Sequence, residues 1–172
     1  MVKLYSDIGS PMSRAVHAFL NINNIVVEIV DIELFDLFSR KPVDEHYLEI
    51  CPLRTLPCLE DGDCVITDTV SILIYLAAEN GLEDPWYPID LFARARVDRF
   101  LHWQHSTIWK VITKQAARKI WLPMFGVEVD EAELSENDEK TPGILKTIDS
   151  WIAEYGYVAS FNMTIADLIA YT

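Results

Sequence analysis

The stretch "YSDIGSPMSRAVHAFL", Tyr5–Leu20, packs a knot of small polar residues and one proline between two apolar elements. Val2 to Tyr5 reads as a short strand, and Met12, Val16, Phe19, Leu20 and Ile22 recur at helical spacing up to Asn23-Asn24. A strand that turns at once into a helix opens a β-α unit. "IVVEIVDI", Ile25 to Ile32, is a β-branched run and is expected to be a buried strand.

The pattern continues outward in the same style. Glu33 to Ile50 is mixed and broken by Pro42, so a helix or long loop is expected there. "LPCL" and "CVIT" flank Glu60-Asp61-Gly62-Asp63, and the Asp-Gly step predicts a hairpin. "TDTVSILIYLAAENG" reads as a helix with a polar start and an Asn80-Gly81 stop. The order β-α-β-α-β-β-α predicts a small mixed sheet with helices on its faces.

"LEDPWYP" reads as a linker, and beyond it the periodicity is helical only. Leu91, Arg94, Ala95, Asp98, Leu101, His102, His105 and Ile108 mark a long helix. A second helical stretch is expected to stop at Trp121, before Pro123. Ile144, Leu145, Ile148, Trp151 and Ile152 make another. "MTIADLIAY" opens one more, with Thr164 and Asp167 at capping-box spacing. The acidic run "DEAELSENDEK" reads as a solvated loop or helix end. The division is therefore an α/β domain over 1–81, a linker over 82–89 and an all-helical domain over 90–172. The last helix ends inside an apolar pattern, which reads as a domain incomplete at its C-terminus.

Composition narrows the classes. The chain has 172 residues, is 51% hydrophobic and holds five tryptophans, so it can bury a core. A net charge of −13 argues against nucleic acid and anionic membranes as partners. No apolar run reaches the roughly 18 residues of a membrane span, and the strand-like start does not read as a signal peptide. Cys51, Cys58 and Cys64 form no CxxC pair, which fits reduced, buried thiols in a cytoplasmic protein. Asp98, His102 and His105 share a helix face, but one helical cluster without a second is a weak metal signal, and no metal site is expected.

Several pieces resemble, in order, a cytosolic glutathione S-transferase, most like the theta class. "LYSDIGSPMSRA" is similar to the theta strand-to-helix segment with its serine, and "CPLRTLPCLEDGD" to the family's Asn-Pro…Val-Pro hairpin. "ITDTVSILIYLA" stands where the family has Glu-Ser ahead of an apolar helix. "DPWYPIDLFARARVDRFLHWQH" is similar to the theta linker and fourth helix, and "TIADL" to the family's buried capping motif. The resemblance implies a thioredoxin-like first domain, an all-helical second domain, further helices beyond Thr172 and a homodimer. It implies glutathione and a small electrophile as substrates, with no other cofactor.

It also assigns roles. Ser10 would donate a hydrogen bond to the glutathione thiolate; read as a plain residue, it is an N-cap. Theta proteins carry Ser-x-Pro, whereas here Pro11 follows Ser10 directly, a change that bears on where the hydroxyl points. Leu56-Pro57 matches the family's cis-proline step, which turns the Leu56 backbone toward the peptide ligand; a trans proline at a strand start is the ordinary alternative. Asp68 and Thr69 would hold the γ-glutamyl ammonium and carboxylate, or else cap a helix. Arg40 and Lys41 are the candidate cations for the glycyl carboxylate. His102, His105, Trp109, Ile112 and Trp121 would line the electrophile pocket, and Phe35, Leu37 and Phe38 would offer an apolar dimer face or else be buried by a long loop. The competing function is a non-catalytic scaffold built on the same fold. A thioredoxin-type reductase lacks the cysteine it needs at the first helix start.

Overall fold

A computed structural model describes residues 1–34, 36, 43–124 and 131–172. The described residues form two compact units, 1–88 with 168–172, and 89–167.

In the first unit, β1 (Lys3–Ser6) leads through a tight turn into α1 (Pro11–Asn23), then β2 (Glu28–Asp31). A short α2 (Glu45–Ile50), the hairpin β3 (Cys58–Asp61) and β4 (Cys64–Ile66), and α3 (Thr69–Glu79) follow. The strand order is β2-β1-β3-β4. β1 pairs parallel with β2 and antiparallel with β3. The parallel pair demands a crossover, and α1 supplies it. This is a thioredoxin-like arrangement.

Alternation along the central strand divides the core. Tyr5 and Cys58 face a cluster completed by Ile32, Tyr47 and Cys51, while Leu4 and Leu59, paired in register, face the other way. α1 packs on α3, burying Val16, Phe19, Ile72, Leu73 and Leu76. The helix ends are closed locally. Asn24 adopts a left-handed conformation (φ 56°) and returns its N–H to Asn21. The hairpin turns at Gly62, whose φ of 58° favours a residue without a Cβ.

Two expectations need correcting here. The run Ile25–Ile32 is not a buried strand: only Glu28–Asp31 is extended, at the sheet edge, with Val26 94% and Ile29 41% exposed. Among the described residues β2 is outermost in the order, and one of its sides has no neighbour strand. Within the expected linker, Glu83–Trp86 forms a short helical turn, α4, in which Asp84 keeps non-helical angles. Trp86 is buried there, edge-on to Phe19 at 5.0 Å, and its indole N–H donates to Asn23 Oδ1 at 3.0 Å. Cys51 and Cys58 are buried as expected, but Cys64 on β4 is exposed.

In the second unit, α5 (Leu91–Trp103) starts at Asp90, whose carboxylate accepts from the Ala93 N–H at 2.8 Å. The helix then runs on in wider π-helical turns over Gln104–Thr113 and Ala117–Trp121. It does not stop at Trp121: helical geometry continues through Leu122–Met124, past Pro123. α6 (Glu131–Tyr155) takes in the acidic residues from Glu131 to Lys140 and carries Pro142 within it. Phe100, Trp103 and Trp151 meet edge-to-face, with Trp103 and Trp151 5.0 Å apart. Ile144 is buried, but Leu145 and Ile152 are not. α7 (Ile165–Tyr171) opens on the expected box: Asp167 accepts from the Thr164 N–H at 2.7 Å and hydroxyl at 3.1 Å, and from the Val158 N–H at 2.9 Å.

Candidate functional site

Ser10 caps α1. Its backbone is extended (φ −75°, ψ 123°), its side chain is buried, and Oγ accepts the Ser13 N–H at 3.4 Å. A hydroxyl oxygen that accepts from the helix keeps its own O–H to donate elsewhere. The helix N-terminus adds a partial positive charge at the same point. The other serines of the segment are differently placed. Ser6 is buried on β1 with Oγ 2.9 Å from His17 Nε2, and Ser13 is fully buried on α1. Burial holds the His17 imidazole below its ordinary pKa, against a smaller opposing pull from Asp31.

Two side chains hold the turn that presents Ser10. Asp7 accepts the Gly9 N–H at 2.7 Å on one oxygen and the Leu34 N–H at 2.7 Å on the other. Arg14 donates from Nη1 to the carbonyls of Ile8 and Gly9, each at 3.2 Å. The Ser10 N–H closes the turn on the Asp7 carbonyl at 2.9 Å.

Tyr5 on β1 carries a further hydroxyl of the first unit. Its O–H is committed to Glu60 Oε2 at 2.8 Å, and burial together with that carboxylate raises its pKa strongly. The Glu60 carboxyl is in turn held below the usual carboxylate range by the hydrogen bonds from His46 and Tyr5.

The segment from α2 to β3 carries the proline step. Leu56-Pro57 is cis, Pro57 is buried, and Leu56 packs half-buried against the Tyr5 cluster. Tyr47 braces this loop by donating its O–H to the Thr55 carbonyl at 3.0 Å. Arg54 stands in the same loop with φ 52°, its Nη1 buried and without a hydrogen-bond partner among the described residues. Sequence reasoning passed over Arg54, since nothing marks an arginine for a left-handed conformation.

At the start of α3, exposed Asp68 is the N-cap, and its Oδ1 accepts both the Ser71 N–H at 2.9 Å and the Ser71 hydroxyl at 3.0 Å. Thr69 beside it is buried. Ser10, Leu56, Asp68 and Thr69 thus all belong to the first unit. Arg40 and Lys41 lie outside the described residues, as do Phe35, Leu37 and Phe38. In the second unit, His102, His105 and Trp109 are exposed and Ile112 is half-buried. The side chain of Trp121 lies outside what is described. Among the described residues no three His, Cys, Asp or Glu side chains cluster as metal ligands, and no helix is long and apolar enough to cross a membrane.

A thioredoxin-like sheet with a polar helix start and a cis-proline ahead of its hairpin, joined in sequence to an all-helical unit, defines a two-domain fold class. Residues 4–84 match the glutathione S-transferase N-terminal domain model. Glutathione S-transferase theta-3 of Mus musculus is 33% identical over 99% of this chain and 70% of its own length. Theta-1 of Homo sapiens is 32% identical over 99% of this chain and 71% of its own length. Among solved structures, human glutathione transferase theta-2, in complex with glutathione and an unknown ligand, superposes with a TM-score of 0.90 at 31% identity, covering 99% of this chain and 70% of that one. A human theta-class transferase holding the glutathione conjugate of 1-menaphthyl sulfate gives 0.88 at 32% identity, over 98% and 68%. The chain belongs to the glutathione S-transferase family, with theta-class proteins among its near relatives.

Proposed function

We propose that this protein is a glutathione transferase in which Ser10 stabilises the thiolate of bound glutathione for attack on a small electrophile. The observation that carries this is the Ser10 hydroxyl at the N-terminus of α1, in a theta-class relative whose counterparts bind glutathione. A free thiol has a pKa near 8.5, so about a few per cent is ionised at pH 7. A donated hydrogen bond and a helix N-terminus both favour the anion. The thiolate sulfur then forms a C–S bond to the electrophile. A halide leaves with the bonding pair; an epoxide opens and its oxygen takes a proton from water; an activated alkene takes a proton at the adjacent carbon.

The remaining roles follow the chemistry of each end of glutathione. The Leu56 backbone pairs with the peptide like an added strand. Asp68 holds the γ-glutamyl ammonium, while Thr69 and the free N–H groups of α3 hold its carboxylate. Arg54 joins Arg40 and Lys41 as a cation for the glycyl carboxylate. Residues 1–81 form the glutathione domain, joined by 82–89 to a helical domain over 90–172 in which His102, His105, Trp109, Ile112 and Trp121 line the electrophile side. The protein works as a cytoplasmic homodimer in detoxification.

Difference absorbance of bound glutathione tests the reading. A thiolate band near neutral pH that is lost in Ser10→Ala supports it. Glutathione binding with no thiolate band, or no binding by the folded chain, overturns it in favour of a scaffold.

A further inference from the structure

We propose that Arg14 is a positioning residue for Ser10, fixing the direction of its hydroxyl by clamping the turn ahead of it. This rests on the transferase reading of the site. The turn joins two buried elements, yet Ile8 at its tip is 65% exposed, so apolar burial does not pin it. Polar bonds do. Arg14 reaches back from the first turn of α1 to the carbonyls of both Ile8 and Gly9, the two residues before Ser10. Its other terminal nitrogen, Nη2, donates to the Thr172 carbonyl at 3.4 Å, so the guanidinium is held from a second side. Asp7 opposes it across the turn by taking the Gly9 N–H, and a Cβ on Gly9 would stand 3.2 Å from Asp7 Oδ1. One guanidinium nitrogen spans the two successive carbonyls while the other reaches Thr172, a spread of donors that a compact lysine ammonium does not reproduce.

The backbone of Gly9 and Ser10 sets where Oγ points, and small misplacement at a reacting centre is costly in rate. The tests are Arg14→Gln and Arg14→Lys in the full chain, read three ways: thiolate titration of bound glutathione, the separation of kcat from KM for glutathione, and hydrogen exchange at the Gly9 and Ser10 amides. Arg14→Gln is expected to raise the bound thiol pKa by about one unit, with a roughly tenfold lower thiolate-dependent kcat and a lesser change in KM. Both amides exchange faster, and Arg14→Lys lies between. An Arg14→Gln protein that loses only thermal stability, its thiolate titration unmoved, overturns the proposal. So does slower turnover with unchanged amide exchange, since the turn was then not held by Arg14. If wild type binds no thiolate while Arg14→Gln still speeds exchange, the transferase reading has failed and the assignment to Ser10 activation falls with it, although the clamp itself is real.

Discussion

Asp167→Ala removes the acceptor on which the start of α7 is organised. The carboxylate takes the Thr164 N–H at 2.7 Å, the Thr164 hydroxyl at 3.1 Å and, through its other oxygen, the Val158 N–H at 2.9 Å. Val158 is 3% exposed and Thr164 fully buried, so water does not readily replace the lost acceptor. An unsatisfied buried donor costs about 1–3 kcal/mol, so the two amides together cost roughly 2–6 kcal/mol. Loss of a negative charge at a helix start adds about 0.3–1 kcal/mol. Asp167 is itself half-buried, which places the expectation for alanine in the lower half of that range, at about 3 kcal/mol. Asp167→Asn keeps one carbonyl oxygen and turns an NH2 toward the other amide, so it should cost nearly as much as alanine rather than half. Against a total stability of about 5–15 kcal/mol, either change is a large fraction. Urea unfolding followed by tryptophan fluorescence measures it. A cost below about 1 kcal/mol for Asp167→Ala, at unchanged m-value, would mean that solvent reaches these amides and that the box does not organise the helix start.

Two further outcomes are expected. A water-soluble thiol reagent should label Cys64 quickly in the native protein and leave Cys51 and Cys58 until unfolding, because both are buried and burial, with Cys51 beside it, pushes the Cys58 thiol up to about 12; rapid native labelling of more than one thiol would contradict the core as described. Acidification should weaken the first unit in two steps. His17 and Glu60 both have folded pKa values below their ordinary ones, so the folded state binds fewer protons than the unfolded state and stability falls as pH drops. The His17 contribution is complete above about 6.5 and is lost below it; that of Glu60 is complete above about 4.3 and is lost below that. His17→Gln should abolish the upper step and Glu60→Gln the lower, in unfolding curves taken across pH.

What the sequence revealed follows the range of the forces involved. The strand-turn-helix at Tyr5–Leu20, the Asp61-Gly62 hairpin and the Thr164/Asp167 box are each decided by neighbours a few residues apart, and each formed as expected. Ile25–Ile32 misled because a β-branched run reads alike at the centre or edge of a sheet, and strand order is set by distant pairings. "LEDPWYP" gave no sign that Trp86 is buried, because its partners Phe19 and Asn23 are far away in the chain. Arg14 was invisible for another reason: the Ile8 and Gly9 groups it binds are backbone carbonyls, which every residue possesses. The proline that follows Ser10 directly is the subtler case. It raised the question of whether the hydroxyl is displaced. Pro11 occupies the first helical position, where no intrahelical N–H is required. The cap itself is made two residues further on, by the Ser13 N–H to Ser10 Oγ. Moving the proline one place therefore removes no hydrogen bond that the cap uses, and the Ser10 hydroxyl keeps both its place at the helix N-terminus and a proton to donate.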